Sequence, residues 1–361
     1  MSKPLALVMA GGTGGHVFPA LATAKKLQQD GYRIHWLGTK RGLESRLVPA
    51  AGIDISYMDV TGVRGKNIVT VLKAPFLLIS SILQAYREIK RLKPSVVLGM
   101  GGFASGPGAV AARLAKVPLV IHEQNAVAGT TNRLSAKFAT RVLQAFDGAF
   151  ANRKHQQVVG NPVRDELTAI AAPRDRMKGR DDQPLRLLVV GGSLGALALN
   201  NTVPEAIALM PHALRPSIFH QAGAGKHEAT IQHYQRLAVA AQVEPFIDNM
   251  LDAYSDADLV ICRAGALTIS ELSCIGVAAI LVPLPSAIDD HQTKNAQWLV
   301  DQKAALLFKQ SEMSAAKLAE KLLQLTADRN QLIAMAENGR AAAIPDAATK
   351  VANICKEVAL G

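Results

Sequence analysis

Short, unbroken apolar runs recur along this chain, each running into a turn of small residues and then into a stretch with helical spacing. In the first half the runs are Leu5–Met9, Arg33–Leu37, Val96–Gly99 and Leu119–His122. Runs without polar alternation are what parallel strands buried on both faces require. Val17–Gln29 carries helical spacing after the first run, and Pro19 is expected in its first turn, where a missing N–H costs nothing. The alternation predicts a parallel sheet covered by helices on both faces. It breaks at 173–184, PRDRMKGRDDQP, a charged stretch bracketed by prolines that reads as a domain boundary. The pattern then restarts with Leu185–Val190, a helix from Leu197, and strands at Ser217–His220, Leu259–Cys262 and Ala279–Val282.

The two halves read as divergent copies. Gly11-Gly12-Thr13 and Gly191-Gly192-Ser193 lie 180 positions apart, whereas Gly102 and Gly265, like Asn132 and Asn295, lie 163 apart. Matches in consistent order favour duplication over chance. The expected fold class is therefore α/β, two Rossmann-like parallel-sheet domains facing a cleft lined by both sets of strand C-termini.

Composition narrows the setting. A chain of 361 residues exceeds what one hydrophobic core usually organises. Its three cysteines, Cys262, Cys274 and Cys355, show no CxxC spacing and read as reduced thiols of a cytoplasmic protein. Met1–Ala10 breaks at once on Gly11 and reads as a first strand, not a signal peptide. A net charge of +11 calls for anionic partners. Nucleic acid is not expected among them, because aromatics are only 4% and offer few stacking platforms.

Candidate chemistry centres on Leu259–Glu271, LVICRAGALTISE. A helix starting at Ala266, straight after a strand and the turn Arg263-Ala264-Gly265, aims its free N–H groups at an anion, most often a phosphate. Thr268 and Ser270 add hydroxyls, and Glu271 is placed either to accept from a ribose diol or merely to face water. The other glycine turns fit no standard nucleotide motif. GGTGGH has Val17 where a dinucleotide fingerprint needs its third glycine, and no acid follows the second strand at Leu37-Gly38-Thr39. GGSLGA lacks the GK[ST] of a P-loop. Asp256-Ala257-Asp258 precedes its strand and reads as solvated loop acids at the wrong end of the sheet. Asp289-Asp290-His291 would need a third partner, so no metal or other cofactor is expected.

Taken in order, GGTGGHVFPALA, GMGGFASGPG, HEQNAVAGTTN, VVGNPVR, VVGGSLGA, Phe246-Ile247-Asp248 and CRAGALTISE span nearly the whole chain. As an ordered set they resemble the MurG family of peptidoglycan N-acetylglucosaminyltransferases. That family transfers GlcNAc from UDP-GlcNAc to the undecaprenyl-diphosphate-linked muramyl pentapeptide, lipid I, to form lipid II. The resemblance implies a GT-B glycosyltransferase fold, with an acceptor domain at 1–163 completed by a returning helix at 345–361, and a donor domain at 164–344. It implies that Ile247 meets uracil, Glu271 holds the ribose, and Ala266, Leu267 and Thr268 cap the diphosphate, with Ile269 and Ser270 in the same substrate-contacting run. Ser193 and Arg164 would lie close to the diphosphate and Gln292 near the sugar, while Thr13, Gly14, Gly15 and Asn125 would line the donor from the other domain. Two departures weaken the sugar contacts. Leu194 stands where many members have Gln, and His291-Gln292 where many read Gln-Gln.

Converting an α-linked donor to a β-linked product inverts the anomeric carbon in one displacement. The departing UDP must be stabilised and the acceptor hydroxyl must lose a proton. The mouth at Ala266–Thr268 and Arg164 could serve the first need. His16 is the first choice of base, with His122 and Glu123 as alternatives. A lipid acceptor also requires a membrane contact. Ala74–Leu83, APFLLISSIL, flanked by Lys73, Arg87, Lys90, Arg91 and Lys93, has the makeup of an interfacial helix. A buried core helix with a basic outer face is the other reading. The protein is thus expected to be peripheral, on the cytoplasmic face of the bacterial inner membrane, and the family's role implies contact with cell-wall synthesis and division proteins. The rival readings are a UDP-GlcNAc 2-epimerase on the same fold and a non-catalytic nucleotide-sugar sensor.

Overall fold

The computed structural model describes residues 3–60, 68–150, 156–192 and 194–360. The chain forms two compact units, Met1–Arg164 with Ile344–Gly361, and Asp165–Ala343. In the first, the strands are β1 (Leu5–Met9), β2 (Arg33–Gly38), β3 (Asp54–Tyr57), β4 (Val96–Gly99), β5 (Leu119–Glu123), β6 (Arg141–Gln144) and β7 (Gln156–Val158). Its helices are α1 (Gly14–Gln29), α2 (Glu44–Ala50), α3 (Ile68–Leu92), α4 (Ser105–Leu114) and α5 (Thr130–Ser135).

In the second unit the strands are β8 (Arg186–Val190), β9 (Ser217–Gln221), β10 (Gln242–Glu244), β11 (Leu259–Cys262), β12 (Ala278–Leu281) and β13 (Ala305–Leu307). Its helices begin with α6 (Asp165–Thr168), α7 (Pro173–Met177), α8 (Leu197–Ala208), α9 (His227–Arg236) and α10 (Met250–Asp256). They continue with α11 (Ala266–Ile275), α12 (His291–Asp301), α13 (Ala315–Ala327) and α14 (Arg329–Ala342), after which α15 (Ala347–Leu360) belongs to the first unit.

Both sheets are parallel, ordered β3-β2-β1-β4-β5-β6-β7 and β10-β9-β8-β11-β12-β13. Removing β7 leaves one winding used twice. The order reverses beside β1 and β4 in one sheet and beside β8 and β11 in the other, which is where doubly wound sheets open a crevice. Every residue of β1, β4, β5, β11 and β12 is buried, the reason their sequences do not alternate. Successive side chains leave β1 on opposite faces: Ala6 and Val8 pack with α1 and α15, Leu7 and Met9 with α3 and α4. Val351, Ala352, Cys355 and Val358 of α15 complete the first of these cores, and Lys356 pairs with Asp30.

Two expectations change. Helix α1 starts at Gly14, so Pro19 falls in its second turn and removes the bond that would run to the Gly15 carbonyl. The glycines that read as loop are the helix's own first turn. Asp258 is not a solvated loop acid: it is buried, with Arg180 at 3.0 Å, Arg329 at 3.2 Å and the Arg186 N–H at 2.9 Å on its carboxylate. It ties the loop before β11 to the segment entering β8. For α3 the described side chains decide between the two readings, since its middle is no core helix. Phe76, Leu77, Leu78, Ile79 and Leu83 are exposed, Phe76 at 77%, whereas Ser81 and Ala85 are buried. The side chain of Lys73 lies outside the described residues.

Candidate functional site

Where β1 ends, Gly11 and Gly12 swing the chain into α1, Gly12 with φ +90°. A buried carboxylate from α2 holds this turn: Glu44 accepts from Gly12 N–H at 2.9 Å, Thr39 N–H at 2.9 Å and Thr39 Oγ1 at 2.7 Å. A Cβ on Gly11, Gly38 or Gly42 would meet the Glu44 side chain within 2.8 Å. The turn after β4 closes on the same place. A Cβ on Gly102 would stand 2.3 Å from Gly11 O, and one on Gly101 2.9 Å from the His16 ring. GGTGGH and GMGG are therefore two pieces of one packed turn. Thr13 caps α1 with no side-chain bond and is exposed, and Gly14 and Gly15 are half-buried, so the helix mouth presents backbone N–H groups and a positive dipole end.

His16 is half-buried at this mouth, its Nδ1 2.8 Å from Gln124 Oε1. Gln124 Nε2 lies 3.1 Å from His122 Nδ1 and 3.2 Å from His122 O, and His122 Nε2 lies 2.9 Å from Gly160 O. Burial pushes the His122 pKa down to about 4, outweighing the Gly160 carbonyl and Glu123, which pull it up. Glu123 accepts four N–H bonds: Asn125 N at 2.9 Å and Asn125 Nδ2 at 3.1 Å on Oε1, Gly129 N at 3.1 Å and Asn132 Nδ2 at 2.8 Å on Oε2. Those four bonds fill the lone-pair sites of a carboxylate. The geometry thus corrects the two alternative bases. His122 is a buried neutral imidazole with both nitrogens engaged, and Glu123 organises the loop from Asn125 to Gly129. Asn125 is half-buried and spends its amide N–H on Glu123.

In the second unit β11 passes through Arg263-Ala264-Gly265 into α11. Gly265 is the N-cap, with φ −65° and ψ 143° and no side chain over the helix mouth. The N–H groups of Ala266, Leu267 and Thr268 belong to the first turn, which has no intrahelical acceptors. Buried Asn295 on α12 steadies the turn by donating to Ala264 O at 3.2 Å. The Arg263 guanidinium is committed elsewhere, to Val282 O at 3.0 Å, Pro283 O at 3.2 Å and Gln310 Oε1 at 2.7 Å.

The remaining expected residues divide. Thr268 and Glu271 are half-buried on α11. The Ser270 hydroxyl donates back to Ala266 O at 3.0 Å. Ile269 is corrected: its side chain is wholly buried in the core and its N–H goes to Gly265 O at 3.0 Å, so it has nothing to offer a substrate. Ile247 is buried beside exposed Phe246, and Arg164 is exposed. Gln292 Oε1 accepts from Leu284 N–H at 2.9 Å, closing the loop before α12. Ser193 lies outside the described residues, and its neighbour Leu194 is 80% exposed. Glu44, Gln124 and Asn132 join the site only through the fold: Glu44 carries no mark in the sequence, and Gln124 and Asn132 stand there only within HEQNAVAGTTN and, for Asn132, as the repeat partner of Asn295.

A hollow of about 740 Å³ lies by Arg186, Ser217 and Asp256, at the N-terminal ends of β8 and β9 and so opposite the turns. The three thiols are buried and pushed up to about 12 by desolvation, which leaves them inert. Among the described residues, no group of three or more His, Cys, Asp or Glu could hold a metal ion.

The glycosyltransferase family 28 N-terminal domain matches residues 6–144, and the family's C-terminal domain matches residues 186–351. The chain is 51% identical, over 98% of its length and 99% of the relative's, to UDP-N-acetylglucosamine–N-acetylmuramyl-(pentapeptide) pyrophosphoryl-undecaprenol N-acetylglucosamine transferase of Pseudomonas savastanoi pv. phaseolicola. The protein of that name from Aeromonas hydrophila is 54% identical, over 100% of this chain and 98% of its own. The crystal structure of Acinetobacter baumannii MurG superposes with a TM-score of 0.86 at 43% identity, over 98% of this chain and 99% of that one. UDP-GlcNAc 2-epimerase from Neisseria meningitidis, over 99% of both chains, has a TM-score of 0.68 at 14% identity, a likeness of fold alone.

Proposed function

The chain belongs to glycosyltransferase family 28 and, within it, to the MurG N-acetylglucosaminyltransferases of GT-B fold, and from that premise we propose which of its residues carry the reaction. It transfers GlcNAc from UDP-GlcNAc to lipid I, forming lipid II, and the identity of 51–54% along almost the whole chain carries this assignment. In this reading the bare first turn of α11 receives the diphosphate. The N–H groups of Ala266, Leu267 and Thr268, with the helix dipole, stabilise the charge that builds on departing UDP. Glu271 accepts from the ribose hydroxyls, Ile247 lies against the base, and Arg164, Ser193 and Gln292 serve the diphosphate and sugar. Thr13, Gly14 and Gly15 offer a second set of backbone donors. His16 takes the acceptor hydroxyl's proton as the hydroxyl attacks the anomeric carbon. The glycosidic bond to UDP breaks in the same displacement, which inverts the configuration.

The acceptor's lipid fits the first unit. An apolar groove of about 560 Å³ runs between α3, α4 and α5, lined by Leu77, Ile82, Phe103, Val110, Leu134 and Phe138. Beyond it the exposed apolar residues of α3 are followed by exposed Arg87, Lys90 and Lys93. Among the described residues no helix is long and apolar enough to cross a membrane. This face accordingly rests on an anionic membrane surface, the cytoplasmic face of the inner membrane, with each basic residue near it contributing about 1 kcal/mol.

Turnover of UDP-GlcNAc with lipid I in liposomes, and with a short-chain soluble analogue, tests both levels of the reading. A disaccharide-lipid and UDP are expected. UDP release without acceptor, or ManNAc as product, would defeat the transferase assignment. The double variant Phe76→Ser/Ile79→Ser should lose liposome binding and activity on liposomal lipid I while using the soluble analogue normally. Equal loss on both acceptors with early melting would return this face of α3 to a structural role.

A further inference from the structure

We infer that Gln124 is a positioning residue that selects the tautomer of His16, holding the imidazole proton on Nδ1 and leaving the Nε2 lone pair as the ring's basic site. The inference rests on His16 being the base and says what makes it one. It begins at a backbone carbonyl. Gly160 has φ +80° and is packed so closely that a Cβ there would stand 2.6 Å from the Ile344 Cβ and 3.2 Å from the Ala347 Cβ, so its position is set by the start of α15.

A carbonyl oxygen can only accept, so His122 Nε2 at 2.9 Å carries a hydrogen. Wholly buried, His122 is neutral in the physiological range, and its Nδ1 is then a bare lone pair. The group facing that lone pair at 3.1 Å has to donate, which makes it the Gln124 amide nitrogen, whose other hydrogen is 3.2 Å from His122 O. Turned over, the same amide would set its oxygen against a lone pair and a carbonyl at once. Gln124 Oε1 therefore faces His16, and at 2.8 Å His16 Nδ1 must be the donor. A neutral imidazole has one hydrogen, so Nε2 is bare.

Every donation runs one way, from His16 through Gln124 and His122 to Gly160 O. Aligned bonds of this kind polarise one another, and the amide oxygen stabilises the ring when Nε2 gains a proton. The amide has no basic site to take that proton onward, so the charge stays on His16. Glu123 and His122, adjacent to Gln124, thus matter without touching substrate: one fixes the loop that follows β5, the other relays the orientation of a distant carbonyl.

Imidazole nitrogen NMR on the histidine-labelled full chain reads the tautomer directly. In the neutral ring of His16 a protonated Nδ1 and bare Nε2 are expected, and a protonated Nε2 would overturn the inference. In Gln124→Ala the ring should lose its Nδ1–H preference, and kcat should fall roughly 10²-fold while KM for UDP-GlcNAc changes less than about twofold. A wrong tautomer can cost about 10⁴ in a Ser-His-Asp triad, and here it becomes unconstrained rather than imposed. Folded Gln124→Ala with undiminished kcat would also overturn it, and if that variant does not fold the wild-type spectrum decides alone. His16→Ala separates the two levels. Full activity in that variant beside an Nδ1–H spectrum in wild type removes the base and the relay's catalytic meaning. An inactive His16→Ala beside an Nε2–H spectrum keeps the base and removes the relay.

Discussion

The turn after β4 and the turn after β11 hold the same place in two sheets of one strand order, yet what stands behind them differs. Behind the first lies a buried polar set: Glu44, His122, Glu123, Gln124 and Asn132. Behind the second, Cys262, Ile269 and Leu272 are apolar and buried, and Asn295 is the polar group that steadies the turn. The paired asparagines register the difference. Asn132 Nδ2 is shared between His122 O and Glu123 Oε2, at 3.1 and 2.8 Å, whereas Asn295 reaches Ala264 O. The turn after β4, packed against the start of α1, backs a site furnished to orient an imidazole; the turn after β11 offers backbone N–H groups on an apolar base. Holding an anion needs only unpaired amides and a dipole, which any βα turn supplies. Moving a proton at neutral pH needs a titratable ring whose hydrogen is assigned, and that takes buried partners.

The comparison breaks most sharply at His16. In His16→Ala, kcat should fall by about 10²–10⁴-fold, the usual share of a general base, while titration with UDP shows unchanged affinity. A parallel loss of UDP binding would mean that the two mouths do not divide the work in this way. Glu271→Ala is the converse. Donor affinity should weaken by a few kcal/mol, since each bond to a charged acceptor contributes about 1.5–3, with kcat at saturating donor far less changed. Donor titration showing no weakening would remove Glu271 from the ribose.

The smallest effect sharpens the comparison at the level of stability, because among the described residues each unit buries one imidazole. His122 is pushed down to about 4, and His220, between Tyr234 OH at 2.9 Å and Asn200 Oδ1 at 3.2 Å, to about 3 by desolvation. The unfolded chain protonates these rings below their ordinary 6.5, while the folded chain does not until those lower values. Their contribution is complete above about pH 6.5 and is lost as pH falls, by up to about 1.4 kcal/mol per pH unit for each ring, His122 levelling off near 4 before His220. Denaturant midpoints between pH 6.5 and 5, where carboxylates stay ionised, should fall steadily. A flat profile there would mean that neither ring is held neutral.

Much of the architecture is local enough to read. Continuous apolar runs mark strands such as β1, β4 and β11 because both faces are covered, and their glycine-rich turns follow directly. The start of α1 does not show in the sequence, because Gly14 and Gly15 look like loop, although a first helical turn makes no intrahelical N–H bonds and tolerates them. Asp258 looked solvated because its partners Arg180 and Arg329 lie 78 and 71 residues away.

By itself, then, the sequence determined two doubly wound sheets and the glycine turns that end their strands, whereas the charged stretch 173–184 that reads as a boundary falls inside the second unit. Hydrophobic periodicity and the need for glycine act over a few residues and leave a local signature. Tertiary structure alone decided which of His122, Glu123 and Gln124 governs His16, and that Glu44 holds the turn at Gly12. Whether a carboxylate is saturated, a ring neutral or a proton placed on one nitrogen depends on the atoms facing it. For His16 those atoms belong to a residue 108 positions away.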